Sequence, residues 1–410
     1  MDFRIIHHHI GARGNVPLPL DKKSVIRKDF SAYYYDADES ALTDTLRHLI
    51  NVGEANLLPY CLGARRERRP FHIAHDAYAS SLYRFNTDYR EFTKASNLGQ
   101  VTIGESMNVA REIEVDVVPL DEICGPGLDI PAPDYLSIDA EGAELDIIQG
   151  ATRTLRDTVV WLRSEMWIHP VYQGAQTFST SLAFLQDAGF DLFHMEPYGE
   201  YEGDRMTLGM HSVGQTLGAE VDFQRRISDL VKEAETDRPT AILKLYKFSF
   251  MAIMNGGNGL CFHSLKQAEA LGGTFFVENG GAAPASYLEF LREVWALMQN
   301  MSRHAPVLPN FTPYIHAWRK RRFDHSTSTD EAEKRSLKEE DNVARKEVVE
   351  GYGADLSRVQ RVYWAGTTGL EACCRKYGLL SQAEKIEKKR KSHCKTFIRE
   401  YYQLSEPAFR

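Results

Sequence analysis

Asp134-Tyr-Leu-Ser-Ile-Asp-Ala-Glu-Gly-Ala-Glu-Leu-Asp-Ile-Ile-Gln-Gly150 is the stretch of sequence that decides the fold. Its first part, Tyr135 to Ile138, is a short apolar run of the kind that forms a buried parallel strand. The run stops at Asp139, and apolar residues then recur at helical spacing. The stretch therefore predicts a strand, an acidic turn and a helix in direct succession.

Three carboxylates follow this strand, at Asp139, Glu141 and Glu144. Ligands of open α/β sheets bind outside the carboxyl ends of the strands, so these acids are expected at the binding edge. Carboxylates this close repel one another, which indicates that they bind hydroxyl groups, a metal ion or a proton. The alternative is that they only offset the dipole of the following helix. The pattern alone leaves both interpretations open.

The composition is that of an ordinary soluble globular protein. The chain is 43% hydrophobic and 26% charged, which is ordinary for that class, and its length of 410 residues favours two or three domains. The net charge of -8 argues against general nucleic-acid binding. Neither a signal peptide nor a membrane span is predicted, and the six cysteines lack CxxC spacing. We therefore expect free thiols and a cytoplasmic protein.

Strands and helices alternate through the first half of the chain, which predicts a mostly parallel, doubly wound sheet. The predicted strands are 3–10, 30–35, 56–62, 71–73, 101–103, 113–118, 135–138, 158–162, 190–193 and 206–213. A mainly helical C-terminal domain follows, so we place the domains at 1–218 and 219–410. Its predicted helices are 221–235, 241–254, 286–301, 337–350, 356–377 and 381–402.

The first strand runs into a glycine-containing turn with Gly11 and Gly14. Asp36 follows the second strand, about 20 residues later, the separation between a glycine turn and a ribose-binding acid in nucleotide-binding units. Its place directly after the strand favours the ribose role over a position in the solvated start of helix 41–52. The first strand also contains His7, His8 and His9, whose side chains must alternate between faces, so packed histidines are favoured over a metal site.

Together, these strand ends resemble the FkbM-type methyltransferase family over roughly residues 5–215. The core of the resemblance is Ile138-Asp-Ala-Glu-Gly-Ala-Glu144. Weaker matches, in the same order along the chain, are Ile10-Gly-Ala-Arg-Gly14, Asp36, Cys61-Leu-Gly63, Ser80-Ser-Leu82, Pro119-Leu-Asp121 and Glu165.

The resemblance implies a class I methyltransferase fold (Rossmann-like) that binds S-adenosylmethionine and methylates a hydroxyl of a sugar, glycan or secondary metabolite. Gly11 and Gly14 would approach the methionine part of the cofactor, and Asp36 would hold the ribose. Ser81 would lie near the cofactor or the substrate. The acids that would lie beside the transferring methyl are Asp139, Glu141 and Glu144.

The sequence also departs from the family pattern in its first motif. Related enzymes usually carry an acid where His9 stands, and a glycine is missing at Ala12-Arg13. Pro17 and Pro19 interrupt the helix expected next. These changes keep open a degenerate relative that acts as a ligand-binding or protein-interaction module.

A hydroxyl acceptor requires a base that takes its proton as the new bond forms. Asp139 is the first candidate, with Glu141 beside it. His169 and His194 are rivals because histidine titrates near neutral pH. In a second route, Asp139 with Glu141 or Glu165 would hold Mg²⁺. The metal-free route is favoured.

Overall fold

The computed structural model describes residues 3–13, 18, 20–37, 53–94, 102–202, 215–274, 286–304, 331, 335, 339 and 361–405. Gly14, helix 41–52 and strand 206–213, all predicted from the sequence, lie outside these residues. The described strands are β1 (Ile5–Ile10), β2 (Phe30–Tyr35), β3 (Glu54–Leu58), β4 (Cys61–Leu62), β5 (Glu67–Ala74), β6 (Thr93–Lys94), β7 (Val109–Val118), β8 (Tyr135–Ile138), β9 (Trp161–Trp167), β10 (Phe190–Glu202) and β11 (Gln215–Arg225).

Eight of these strands form one sheet, in the order β3-β2-β1-β8-β9-β11-β10-β6. Neighbouring strands from β3 to β9 are parallel. The remaining pairs, from β9 through β11 and β10 to β6, are antiparallel. Strands β4, β7 and β5 form a second, smaller sheet.

Helices cover both faces of the large sheet. The α-helices are α1 (Ile103–Met107), α2 (Leu120–Ile123), α3 (Glu144–Gln149), α4 (Thr152–Asp157), α5 (Phe178–Asp187), α6 (Ile227–Glu233), α7 (Arg238–Met254), α8 (Asn258–Ala270), α9 (Ser286–His304), α10 (residues 361–376) and α11 (Leu380–Ser405). Helices α3 and α5 pack on one face through Leu145 and Leu185. On the other face, Phe248 of α7 meets the ring of Trp161. This arrangement confirms the predicted doubly wound sheet.

In the described parts of the chain, no helix is both long and apolar enough to cross a membrane.

Two predicted elements are wrong. Residues 221–225 belong to strand β11, not to a helix, because apolar and polar residues alternate there: Val221 and Phe223 are buried in the core, whereas Asp222 faces Arg163. Residue 103 begins helix α1, not a strand, because Thr102 and Glu105 form a reciprocal capping box.

The chain divides by packing into two compact units, Met1–Leu291 and Arg292–Arg410. The predicted boundary at 218/219 falls inside strand β11. Helices α6 to α8 therefore belong to the first unit, together with the sheet. In the second unit, Glu293 of α9 accepts a hydrogen bond from the Tyr377 hydroxyl at 3.0 Å.

A buried ion pair fastens helix α7 to the sheet. Lys247 Nζ donates to Asp134 Oδ2 at 2.7 Å, and both residues are less than 10% exposed. The same carboxylate oxygen accepts the backbone N–H of Ile6 at 2.8 Å. Asp134 thus joins the start of β1, the start of β8 and a helix more than a hundred residues away.

Removing the lysine should therefore destabilise the first unit strongly. We expect Lys247→Met to lower the free energy of unfolding by about 3–5 kcal/mol, because it removes the positive charge that compensates the buried carboxylate of Asp134. Denaturant unfolding followed by circular dichroism measures this change. Lys232→Met is the control, since the Lys232 side chain is 74% exposed and its pair with Asp229 spans 3.8 Å. Equal stability of the two variants would contradict the role given to Lys247.

Candidate active site

The acidic turn after β8 is held in place by one of its own carboxylates. Glu144 Oε1 accepts the backbone N–H groups of Ala140 at 3.1 Å and Gly142 at 3.0 Å. The Glu144 side chain is buried, and burial raises its pKa to about 7 against the opposing effect of these hydrogen bonds. The Glu144 side chain therefore stabilises the conformation of the turn through these two hydrogen bonds. The sequence did not predict this role.

Glu141 sits at the tip of this turn in an unusual backbone conformation. Its φ of 51° lies in the left-handed region, which residues other than glycine rarely adopt. The Ser81 hydroxyl donates to the Glu141 carbonyl at 2.6 Å, and the Tyr172 hydroxyl donates to Glu141 Oε2 at 2.6 Å. Two side chains from other parts of the chain thus fix both the backbone and the carboxylate of Glu141.

Ser81 was predicted near the cofactor or the substrate. Its hydroxyl also accepts the N–H of Tyr83 at 2.9 Å, so it has partners within the protein on both its donor and acceptor sides. Its neighbour Ser80, not Ser81, lines the cleft described below. A direct contact between Ser81 and a cofactor remains a prediction.

Gly11 is required by the close contact between β1 and β8. Its φ is 85°, and a Cβ atom placed on it would lie 1.6 Å from the Asp139 carbonyl oxygen. Its N–H donates to the carbonyl of Tyr35 at the end of β2. Only glycine therefore allows the ends of β2, β1 and β8 to converge here.

A cleft opens at these converging strand ends and encloses about 780 Å³, part of it open solvent. Asp36 follows β2, Asp139 follows β8, and β1 with Gly11 lies between them. This is the edge at which open α/β sheets bind their ligands. The polar and glycine residues that line the cleft are Gly11, Arg13, Asp36, Tyr60, Cys61, Tyr78, Ser80, Asp139 and Glu141.

The Asp139 side chain is exposed at the cleft. Loss of solvent on its protein side raises the pKa of its carboxyl group to about 6; the charge of Glu220 adds to the rise, and a hydrogen bond with Glu165 opposes it. Carboxylate oxygens of Asp139, Glu141 and Glu165 lie within 4.8 Å of one another. Such hard oxygen donors are the ligands that Mg²⁺ prefers, so this trio includes the residues of the alternative metal route.

The two candidate histidines contact residues outside the acidic turn. His169 is hydrogen-bonded to Gln215 at 3.0 Å and lies near the ring of Tyr89. His194 lies within β10, exposed, opposite Asp222 of β11. Among the described residues that line the cleft, neither histidine is present. The structure therefore brings together Asp139 and Glu141 but not His169 and His194.

The three consecutive histidines of β1 are packing residues. His7 and His9 both bond to the Ser137 hydroxyl, at 2.9 and 2.7 Å, and His8 bonds to the Tyr35 hydroxyl on the opposite face. Burial lowers the pKa of His9 to about 4, so the ring is neutral at physiological pH. A neutral ring thus occupies the position at which the sequence resemblance implies an acid.

The sequence did not single out three aromatic residues of this site. Tyr172 follows a Pro-Val pair in a loop, without a motif to mark it. Tyr60 and Tyr78 line the cleft and are 37% and 61% exposed. An exposed tyrosine beside the ligand-binding edge of the sheet indicates a binding residue, but its exposure can be seen only in the folded chain.

Part of the chain matches a known protein family. Residues 33–192 match the family model described as the Methyltransferase FkbM domain. The matched segment includes the whole acidic turn, whereas Gly11 and His9 precede it. The match confirms the resemblance that the sequence motifs indicated, and it indicates a methyltransferase domain within this segment.

A solved structure also aligns with the chain: the crystal structure of Methyltransferase FkbM from Methylobacillus flagellatus KT. The two chains are 14% identical, and the alignment covers 54% of this chain with a TM-score of 0.26. It spans 44% of the solved chain, less than half of its length. No curated protein matches the chain significantly.

The role of Glu144 gives a stability prediction. We expect Glu144→Ala to lower the free energy of unfolding by about 2–4 kcal/mol, because two N–H groups of the turn lose their acceptor. Glu144→Gln is the matched control, since its amide oxygen can accept both hydrogen bonds and should keep most of the stability. Denaturant titration of both variants compares them. A Gln variant as unstable as the Ala variant would show that the charge, not the two hydrogen bonds, holds the turn.

Proposed function

We propose that the protein is an S-adenosylmethionine-dependent methyltransferase that methylates a hydroxyl group of a small molecule, either a sugar or glycan or a secondary metabolite. The observation that carries this proposal is the cleft in which Asp36 and Asp139 flank Gly11 at the ends of three adjacent parallel strands. The match of residues 33–192 to a methyltransferase domain supports the reaction type.

The residues of the cleft suit such a cofactor, which supplies an activated methyl group when it is bound. The Asp36 carboxylate can accept hydrogen bonds from both ribose hydroxyls. Gly11 presents backbone without a side chain, so that a ligand can approach closely. Tyr60 and Tyr78 offer aromatic surface to a ring of the cofactor or the acceptor.

Asp139 is our candidate for the general base. A hydroxyl is a poor nucleophile until its proton is removed, and a base is most effective when its pKa lies near the working pH. The pKa of about 6 leaves Asp139 mostly ionised at neutral pH, while keeping it more basic than an ordinary aspartate. Glu141 lies beside it in the same cleft and shares the role in our proposal.

A second candidate function is a degenerate methyltransferase fold that binds a ligand or a partner without catalysis. The observation in its favour is the neutral, fully bonded His9 at the position of the usual acid. Cofactor binding and turnover separate the two functions.

We also place the protein in the cytoplasm, on the ground that the five cysteines with described side chains are free thiols.

The first test is calorimetric titration with S-adenosylmethionine. We expect the wild-type protein to bind it and Asp36→Ala to weaken binding about tenfold to hundredfold, the cost of losing hydrogen bonds to a charged group. Asp129→Asn is the control, because Asp129 is exposed and outside the cleft lining. A wild-type protein that binds no cofactor would refute the proposed function, and unchanged affinity in Asp36→Ala would remove Asp36 from the site.

The second test is the pH profile of turnover with a hydroxyl acceptor found by screening. Because Asp139 acts in its ionised form and its pKa is about 6, activity should fall as the pH drops through about 6. Glu220→Gln should move this fall to lower pH, because the Glu220 charge helps to raise the pKa of Asp139. Asp139→Asn should abolish turnover. Wild-type turnover in that variant would exclude Asp139 as the base.

A further inference from the structure

Tyr172 is anchored firmly against Glu141, a residue that lines the cleft. It is 1% exposed and belongs to an apolar cluster with Trp167, whose ring it meets edge-on at 5.6 Å. Its hydroxyl donates to Glu141 Oε2 at 2.6 Å. Burial and the charge of Glu141 raise the pKa of the phenol well above its usual value, so Tyr172 remains a neutral donor. A rigid group thus holds the end of the Glu141 side chain.

The backbone of Glu141 is held just as firmly. The left-handed φ of 51° costs free energy and persists only where the surroundings enforce it. Ser81 holds the Glu141 carbonyl at 2.6 Å. The ring of Tyr172 packs on Gly142, where an added Cβ atom would lie 3.0 Å from the ring. Gly142 itself has a φ of 98°, which side-chain-bearing residues rarely adopt, so glycine is strongly favoured there. The ring and both hydroxyls together determine where the Glu141 carboxylate lies.

The Glu141 carboxylate is thereby held close to two other acidic groups, Asp139 and Glu165. Carboxyl oxygens of Glu141, Asp139 and Glu165 lie within 4.8 Å of one another, and a positive charge beside them would offset the repulsion between those that are ionised. In S-adenosylmethionine the sulfonium is attached to the 5′ carbon of the ribose. If Asp36 holds the ribose at β2, the sulfonium lies farther along the cleft, toward the acids after β8.

We propose that Tyr172 is a positioning residue, which holds the Glu141 carboxylate beside Asp139 so that the cleft favours the cationic sulfonium of S-adenosylmethionine over the neutral thioether of S-adenosylhomocysteine. This inference rests on the proposed function, because it requires that S-adenosylmethionine is the ligand. It goes further by naming the part of the ligand that the acidic turn recognises. The ligand loses its positive charge when the methyl group leaves. A Glu141 carboxylate held in place by its strained backbone would therefore favour the ligand before transfer over the product after it.

The test compares two affinities in each variant. Calorimetric titration at pH 8 gives the Kd of S-adenosylmethionine and of S-adenosylhomocysteine for the full-length protein. We expect Tyr172→Phe, which keeps the ring but removes the donor, to lower the ratio of Kd for S-adenosylhomocysteine to Kd for S-adenosylmethionine about tenfold relative to wild type. Tyr83→Phe is the matched control, because the Tyr83 hydroxyl donates to the Asp146 carboxylate at the same 2.6 Å, outside the cleft lining. Its ratio should equal that of wild type.

A purely structural role for Tyr172 would weaken both ligands equally, and an unchanged ratio in Tyr172→Phe would overturn the inference while leaving the proposed function intact. If that variant fails to fold, Glu141→Gln decides the question. It keeps an oxygen acceptor for Tyr172 but removes the charge, so its ratio should fall as well, and an unchanged ratio would equally overturn the inference. Failure of the wild-type protein to bind either ligand would instead refute the proposed function, and the inference with it.

Discussion

The contact between Gly11 and the Asp139 carbonyl is the constraint on which the candidate site depends. Parallel strands lie at a fixed spacing, but their ends can approach more closely only where a side chain is absent. At Gly11 a Cβ atom would overlap the Asp139 carbonyl oxygen at 1.6 Å. The turn after β1 and the turn after β8 therefore meet, and the cleft between Asp36 and Asp139 follows from this meeting.

The strands that carry these turns are held in register by buried polar groups. Asp134 anchors the start of β1 and β8 and, through Lys247, helix α7. Ser137, in the middle of β8, bonds His7 and His9 of β1. Buried polar groups contribute little net stability, but each unpaired one is costly, so such pairs penalise any other register. The alignment of β1 with β8, and thus of Gly11 with Asp139, is set by these pairs as well as by the backbone ladder.

Sequence reasoning recovered the parallel half of the sheet and missed much of the antiparallel half. The run from Tyr135 to Ile138 is buried on both faces, so its continuous apolar character marked it clearly. Strand β11 alternates apolar and polar residues, yet the sequence predicted a helix for its last part, residues 221–225. Their partners, such as Arg163 for Asp222, lie far away in sequence. No local pattern could supply those partners.

The candidate site shows the same division between local and distant information. Asp139 and Asp36 were identifiable because each follows a strand directly, and their positions beside the cleft agree with that reasoning. The roles of Glu144 and Ser81 were not identifiable. Glu144 accepts hydrogen bonds from its own turn and Ser81 donates to the carbonyl of a residue distant in sequence, and neither contact leaves a mark in the sequence. Tyr172 was invisible for the same reason.

The acidic turn concentrates features that a stable fold normally avoids. It combines a left-handed glutamate with a buried carboxylate at Glu144, and two of its carboxylates lie within 4.8 Å of each other and of Glu165 on β9. Folded proteins keep such local conflicts chiefly where function requires them. Helix-dipole compensation, the alternative interpretation of these acids, would account for Glu144 in the first turn of α3. It would not account for Glu141, whose conformation is enforced by Ser81 and Tyr172, two residues outside the turn. The part of the turn that local structure leaves unexplained is therefore the part that faces the cleft.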